Sequence, residues 1–157
     1  MFDLINGLPV HPLIVHAIVV LLPLAAIGTV AIALVPRWRA PYGPLVTAAA
    51  IASVILLPIA TSSGEALERH VGDPGRHAAM GDMLIWFAVP LAVLALALTY
   101  VARRAAAGRA LVGPHWLPTA VAVLAVVAAV ATGVQVYRVG DSGAKAVWAD
   151  QVQASHH

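Results

Sequence analysis

The stretch HPLIVHAIVVLLPLAAIGTVAIALV, residues 11–35, contains no Asp, Glu, Lys or Arg. From Leu13 to Val35 it is an apolar run of the length that crosses a bilayer core of about 30 Å, for which roughly 20 helical residues suffice. In hydrocarbon a chain must satisfy its backbone donors and acceptors internally, and a helix does so within its own segment. Asp3 is the only charge ahead of the run, so it reads as a span and not as a cleavable leader with a basic start. Three more charge-free runs follow, at Leu45–Ser62, Met83–Ala102 and Trp116–Tyr137. The expected fold is all-α, an integral membrane four-helix bundle forming a single domain over residues 1–157.

Composition leads to the same class. Apolar residues make up 61% of the chain and charged residues only 10%, where about 25% charged is ordinary for a soluble domain. So little charge cannot cover a water-facing surface. With no cysteine, disulfides, Cys-ligated zinc, iron–sulfur clusters and covalently attached c-type haem are excluded. A formal charge of +2 is too small for nucleic acid to be a natural partner.

The connections between the runs differ in charge. Residues 36–44 and 103–115 carry Arg37, Arg39, Arg103, Arg104 and Arg109 and no acid. The opposite side holds Arg69, Arg76, Arg138 and Lys145 with all the acids: Asp3, Glu65, Glu68, Asp73, Asp82, Asp141 and Asp150. The positive-inside rule then puts the two arginine loops in the cytoplasm and both termini outside. Pro23, Pro58 and Pro90 fall inside spans, where each removes a backbone donor and favours a bend. Ala125, Ala129 and Gly133 form a small-residue stripe suited to close helix contact.

Histidine placement carries the chemistry. His11 and His16 bracket Pro12, five residues apart, which is about 140° of helical rotation and prevents both from facing one point. His11 is expected at the mouth and His16 one turn deeper, where an intramembrane polar group is costly without a purpose. Asp73 followed by Pro74 reads as an N-cap with proline at the first helical position. That places His77 in the first turn of the third helix and Asp82, five residues on, off its face. Neutral imidazole is a good ligand for haem iron, zinc or copper. His16 and His77, on different helices at similar depth, would clasp a b-type haem. Arg76, Arg138 and Lys145 would then meet its propionates, and Gln135 would offer a hydrogen bond. A second set, His11, His70, Glu65 and Asp82, with Glu68 nearby, offers imidazole and carboxylate to a metal ion such as zinc or manganese. His115 beside Trp116 reads as an interfacial anchor. The glycines in residues 140–148 suggest a turn that folds an amphipathic end onto the outer leaflet.

The segments HPLIVHAIVVLLPLA at 11–25, TSSGEALERH at 61–70, RHAAMGD at 76–82 and GDSGAKAVW at 140–148 together resemble the bacterial membrane proteins of the domain of unknown function 2231 family. The resemblance spans essentially the whole chain. His11, Pro12 and His16 match its paired histidine-proline start, and His77 matches a histidine at the start of its third helix. It implies the four-span topology and a multi-pass setting in the bacterial cytoplasmic membrane, but no reaction. Three functions fit the residues. One is b-type haem held near the outer face for electron transfer with a redox partner. A second is a structural or interaction subunit that binds another membrane protein. The third, metal-ion binding or transport, has less behind it, because no charge lies within the four spans to form a relay.

Overall fold

A computed structural model describes residues 4–5, 8–71, 75–109 and 113–154. Two short strands, β1 (Leu4–Ile5) and β2 (Leu8–Pro9), pair antiparallel. They lead into α1 (Val10–Leu34) and α2 (Pro36–Val71). A short α3 (Arg76–Asp82) and α4 (Leu84–Ala106) follow as one nearly continuous rod, and α5 (Leu117–Ala154) ends the fold. Four stretches are long and apolar enough to cross a membrane: His11–Leu34, Pro36–Ala66, Arg76–Ala106 and Leu117–Lys145. The four-helix expectation holds.

The helices run well past the apolar runs. Residues 36–44, read as a loop, belong to α2, and Val35 alone separates α1 from α2. Pro36 starts α2, where its missing N–H leaves no bond unmade. Arg39 turns back to donate from Nε to the Ile32 carbonyl (2.8 Å) and from Nη2 to the Ala33 carbonyl (2.7 Å). A cation thus satisfies carbonyls that the last turn of α1 leaves without partners. Ser63–Val71, also expected as connection, continues α2. Its Ala, Leu, Glu and Arg are good helix formers, and Ser62 and Ser63 donate back to the carbonyls of Pro58 (2.9 Å) and Ala60 (3.0 Å). Residues 140–148 are helical too, not a turn. At about 1.5 Å per residue, α2 (36 residues) and α5 (38 residues) overrun a hydrocarbon core of ~30 Å by several turns.

The third span begins on Gly75, the N-cap of α3, in a positive-φ conformation (φ 58°); the expected cap Asp73–Pro74 lies outside the described residues. Met83, still right-handed (φ −74°, ψ −15°), links α3 to α4. Gly108 (φ 66°) ends α4. There the Gly108 and Arg109 amides bond the Ala105 and Arg104 carbonyls, each at 3.0 Å, closing the terminus in a Schellman arrangement.

Around the bundle the order is α1, α2, α4, α5, with α1 and α4 across the diagonal. Ala25, Ala50, Ala88, Ala95 and Ala125 are fully buried, and such small residues let backbones approach closely where lipid supplies no hydrophobic drive. Ala125 and Ala129 of the small-residue stripe are buried, while Gly133 is exposed and Thr132 takes the inner position. The buried hydroxyls find partners. Thr29 donates to the Ala25 carbonyl (2.7 Å), Thr47 bonds Thr99 across α2 and α4 (3.0 Å), and Thr132 reaches the carbonyls of Ala128 (2.7 Å) and Phe87 (3.2 Å). The outer surface is lined by large apolar side chains such as Val19, Leu24, Ile27, Ile55 and Val127, as a lipid-facing surface requires. At the arginine end Trp38 and Tyr42 meet edge to face, and Arg104 lies 5.8 Å from the Tyr100 ring centroid. Aromatic and basic residues of this kind mark a membrane–water boundary.

Candidate cofactor site at the histidine end

His11, in the first turn of α1, lies against the end of α2. Its Nδ1 is 3.0 Å from the Ala60 carbonyl and 3.3 Å from Ser63 Oγ, and Ser63 itself donates to that carbonyl at 3.0 Å. The ring edge rests on Gly64: a Cβ there would stand 3.1 Å from His11 Cε1 and 3.3 Å from Nδ1. His77, in the first turn of α3, repeats this on α5. Its Nδ1 is 3.2 Å from the Val139 carbonyl and 3.2 Å from Ser142 Oγ, and Ser142 donates to Val139 at 2.8 Å. A Cβ on Gly143 would stand 2.9 Å from His77 Cε1. The glycine at 143 therefore serves close ring contact within α5 and not a turn.

These contacts settle the tautomer. A carbonyl oxygen can only accept, so the nitrogen bonded to it carries the hydrogen. In both rings Nδ1 is then the donor, and Nε2 keeps its lone pair. Neither Nε2 has a hydrogen bond among the described residues. A ligating histidine commonly stands so, with its other N–H given to a carbonyl that fixes the ring and raises its basicity.

Both rings line one cavity of about 280 Å³. Its wall is largely apolar (Val15, Ile18, Leu57, Leu84 and Val139), with Thr61, Glu65 and Asp82 as its polar members. His77 also lines an adjoining groove of about 930 Å³, together with Arg76, Met80, Gln135, Tyr137, Arg138 and Lys145. Gln135 is buried and donates to the Met80 carbonyl at 3.2 Å. Lys145 is paired with Asp141 at 2.7 Å on the exposed surface.

The residues singled out in the sequence thus divide. His77, Arg138, Lys145 and Gln135 come together along the groove, with Arg76 beside them. His16 does not join them: it is exposed on the outer face of α1, its Nδ1 hydrogen-bonded to the Pro12 carbonyl one turn back. The rotation that separates it from His11 sends His11 to the cavity and His16 away. His77 and Asp82, expected on different faces, both border the cavity, because residues 77, 78, 81 and 82 form one broad stripe along the third span. Of the metal set, His11, Glu65 and Asp82 line the cavity, while the side chains of His70 and Glu68 lie outside the described residues. Among the described residues no three His, Cys, Asp or Glu side chains are grouped to hold a metal ion. His115 is exposed at the arginine end. Ser63, Gly64, Ser142 and Gly143 escaped sequence reasoning. The Ser-Gly pair that recurs past the second and fourth apolar runs is the signal that would have found them.

Four apolar membrane-length helices packed through small residues, with a histidine-lined, largely apolar cavity at one end, define a multi-pass membrane protein. The family model described as "Predicted membrane protein (DUF2231)" matches residues 7–156, and the chain belongs to that family. Comparison with curated proteins and with solved structures gave no match.

Proposed function

We propose that the protein binds b-type haem and carries electrons at the outer face of the bacterial cytoplasmic membrane. The supporting observation is a pair of imidazoles on different helices, each tied down at Nδ1 and free at Nε2, lining one apolar cavity. The ligands are His11 and His77; His16, the deeper histidine favoured on sequence grounds, is replaced by His11. Two axial ligands suffice for haem, whereas a bare ion at this site would want a third or fourth protein ligand. At about 280 Å³ the cavity falls just short of the usual range for organic ligands, about 300–1,000 Å³, and the groove beyond His77 supplies the further room. Arg76 and Arg138 supply cations there for the propionates. His11 and His77 would both be taken up in holding the group, and such a haem would supply electron transfer rather than oxygen chemistry. A redox protein docking at the histidine end is the partner this reading calls for.

The visible spectrum of protein purified from haem-supplied cells tests the reading. A low-spin spectrum is expected, lost in His11→Ala and in His77→Ala and kept in His16→Ala and His115→Ala. A colourless preparation that does not respond to added haem overturns it and leaves the interaction-subunit reading. Reporter fusions test the orientation: one after Gln153 should behave as periplasmic and one near Ala107 as cytoplasmic, and the reverse pattern would put the site in the cytoplasm.

A further inference from the structure

The two histidine stations are alike atom for atom. On α2 the carbonyl, the serine and the glycine that hold His11 are Ala60, Ser63 and Gly64. On α5 those that hold His77 are Val139, Ser142 and Gly143. The order and the spacing within each triplet are the same. His11 opens α1 and His77 opens the α3–α4 rod, and each triplet lies near the far end of the next long helix, α2 or α5, so α1–α2 and α3–α4–α5 are two hairpins running in the same sense. Parallel repeats of this kind, related by an axis along the membrane normal, are a known way of building a shared site between two halves of a membrane protein.

From this repeat, and resting on the haem reading above, we infer that Ser63 and Ser142 are matched positioning residues. They act through the histidines and present the iron with two equivalent imidazoles. In each station the serine hydroxyl spends its hydrogen on the carbonyl, at 3.0 Å for Ser63 and 2.8 Å for Ser142. Its oxygen can then only accept from Nδ1–H. The ring N–H is shared between two acceptors, carbonyl and hydroxyl, which adds to the hold on Nδ1 and fixes one ring plane. Glycine at the next position lets the ring lie on the helix surface. A stronger acceptor set at Nδ1 makes Nε2 a better donor to iron, which favours the electron-poor ferric state.

NMR of the imidazole nitrogens gives the test that does not depend on haem, under mildly alkaline conditions where an ordinary imidazole is neutral. In the full-length protein without added haem, His11 and His77 are both expected as the Nδ1–H tautomer. The carbonyl still selects Nδ1–H, so Ser63→Ala should leave the His11 tautomer in place but shift its ring-nitrogen resonances, and Ser142→Ala should do the same to His77 alone. Ser63→Thr and Ser142→Thr, which keep the hydroxyl, should restore the wild-type signals. The second arm is titration with haem, followed by a potentiometric measurement. Each Ser→Ala change should weaken haem binding about tenfold, the lower range for loss of an outer-shell partner, and raise the reduction potential, with the same sign at both sites. Ring-nitrogen resonances that ignore the alanine substitutions overturn the inference even if haem binds. So does a potential that moves at one site only. A wild-type protein that takes up no haem overturns the functional reading instead, and the NMR result then decides the serine role by itself.

Discussion

At the arginine end of the bundle α1 and α2 are joined through Val35 alone, whereas at the histidine end α2 and α5 run on past the apolar core and enclose a cavity. The arginine end is closed by short contacts. Gly43 lies so near α4 that a Cβ there would stand 2.5 Å from Thr99 Oγ1, and Thr99 in turn bonds Thr47. The histidine end uses glycines differently: Gly64 and Gly143 make room for imidazole rings, where Gly43 makes room for the side chain of Thr99. One end is closed by direct contacts, and the other leaves a cavity between the helices. Stability should therefore respond mainly to changes at the arginine end, and ligand binding to changes at the histidine end.

Gly43→Ala should have the largest effect on stability. The new methyl collides with a short β-branched side chain that cannot swing aside, and overpacking of this kind costs about 1–3 kcal/mol. Thermal unfolding in detergent measures the loss, and the ligand-binding properties of the folded fraction should be unchanged. A variant as stable as the parent would remove the distinction between the two ends.

Next comes Arg39→Ala, which leaves the Ile32 and Ala33 carbonyls without their charged donor. Loss of hydrogen bonds to a charged group costs about 1–3 kcal/mol when the partner stays buried. Water reaches this half-buried site, so about 1 kcal/mol is expected from the same denaturation experiment. Arg39→Lys should recover only part of it, since an ammonium lacks the planar fork that spans two carbonyls.

The smallest effect belongs to the histidine end. Lys145→Ala removes an exposed pair with Asp141, whose side chains are 73% and 42% accessible. Such a helical i, i+4 pair contributes about 0.3–0.5 kcal/mol, and added salt should erase even that. A larger loss would show that the groove carries part of the structural load and would weaken the contrast between the ends.

His16 and His11 differ in how each meets its need for a partner. A polar group within the hydrocarbon demands a partner, and on that ground the deeper His16 was favoured over His11. His16 meets the demand locally, on the carbonyl of Pro12, and so needs no partner on another helix. Hydropathy alone ends the spans at Ser62 and Tyr137 and suggests a connection from Ser63 and a turn within 140–148. Helix formation does not stop with it, since Ala, Glu, Arg and Lys propagate a helix in water as well.

What the sequence determined by itself is the class: four spans, an arginine end and a histidine end. Run length and charge decide these, because in lipid each helix satisfies its own backbone and needs no neighbour to exist. Which side chains meet was decided only in the tertiary structure. That His11 and His77 share a cavity, and that each rests on a Ser-Gly pair more than fifty residues away in one case and sixty in the other, depends on helix order and rotation. Those are set by close packing of alanines, threonines and glycines between helices, an interaction that leaves no local mark in the chain.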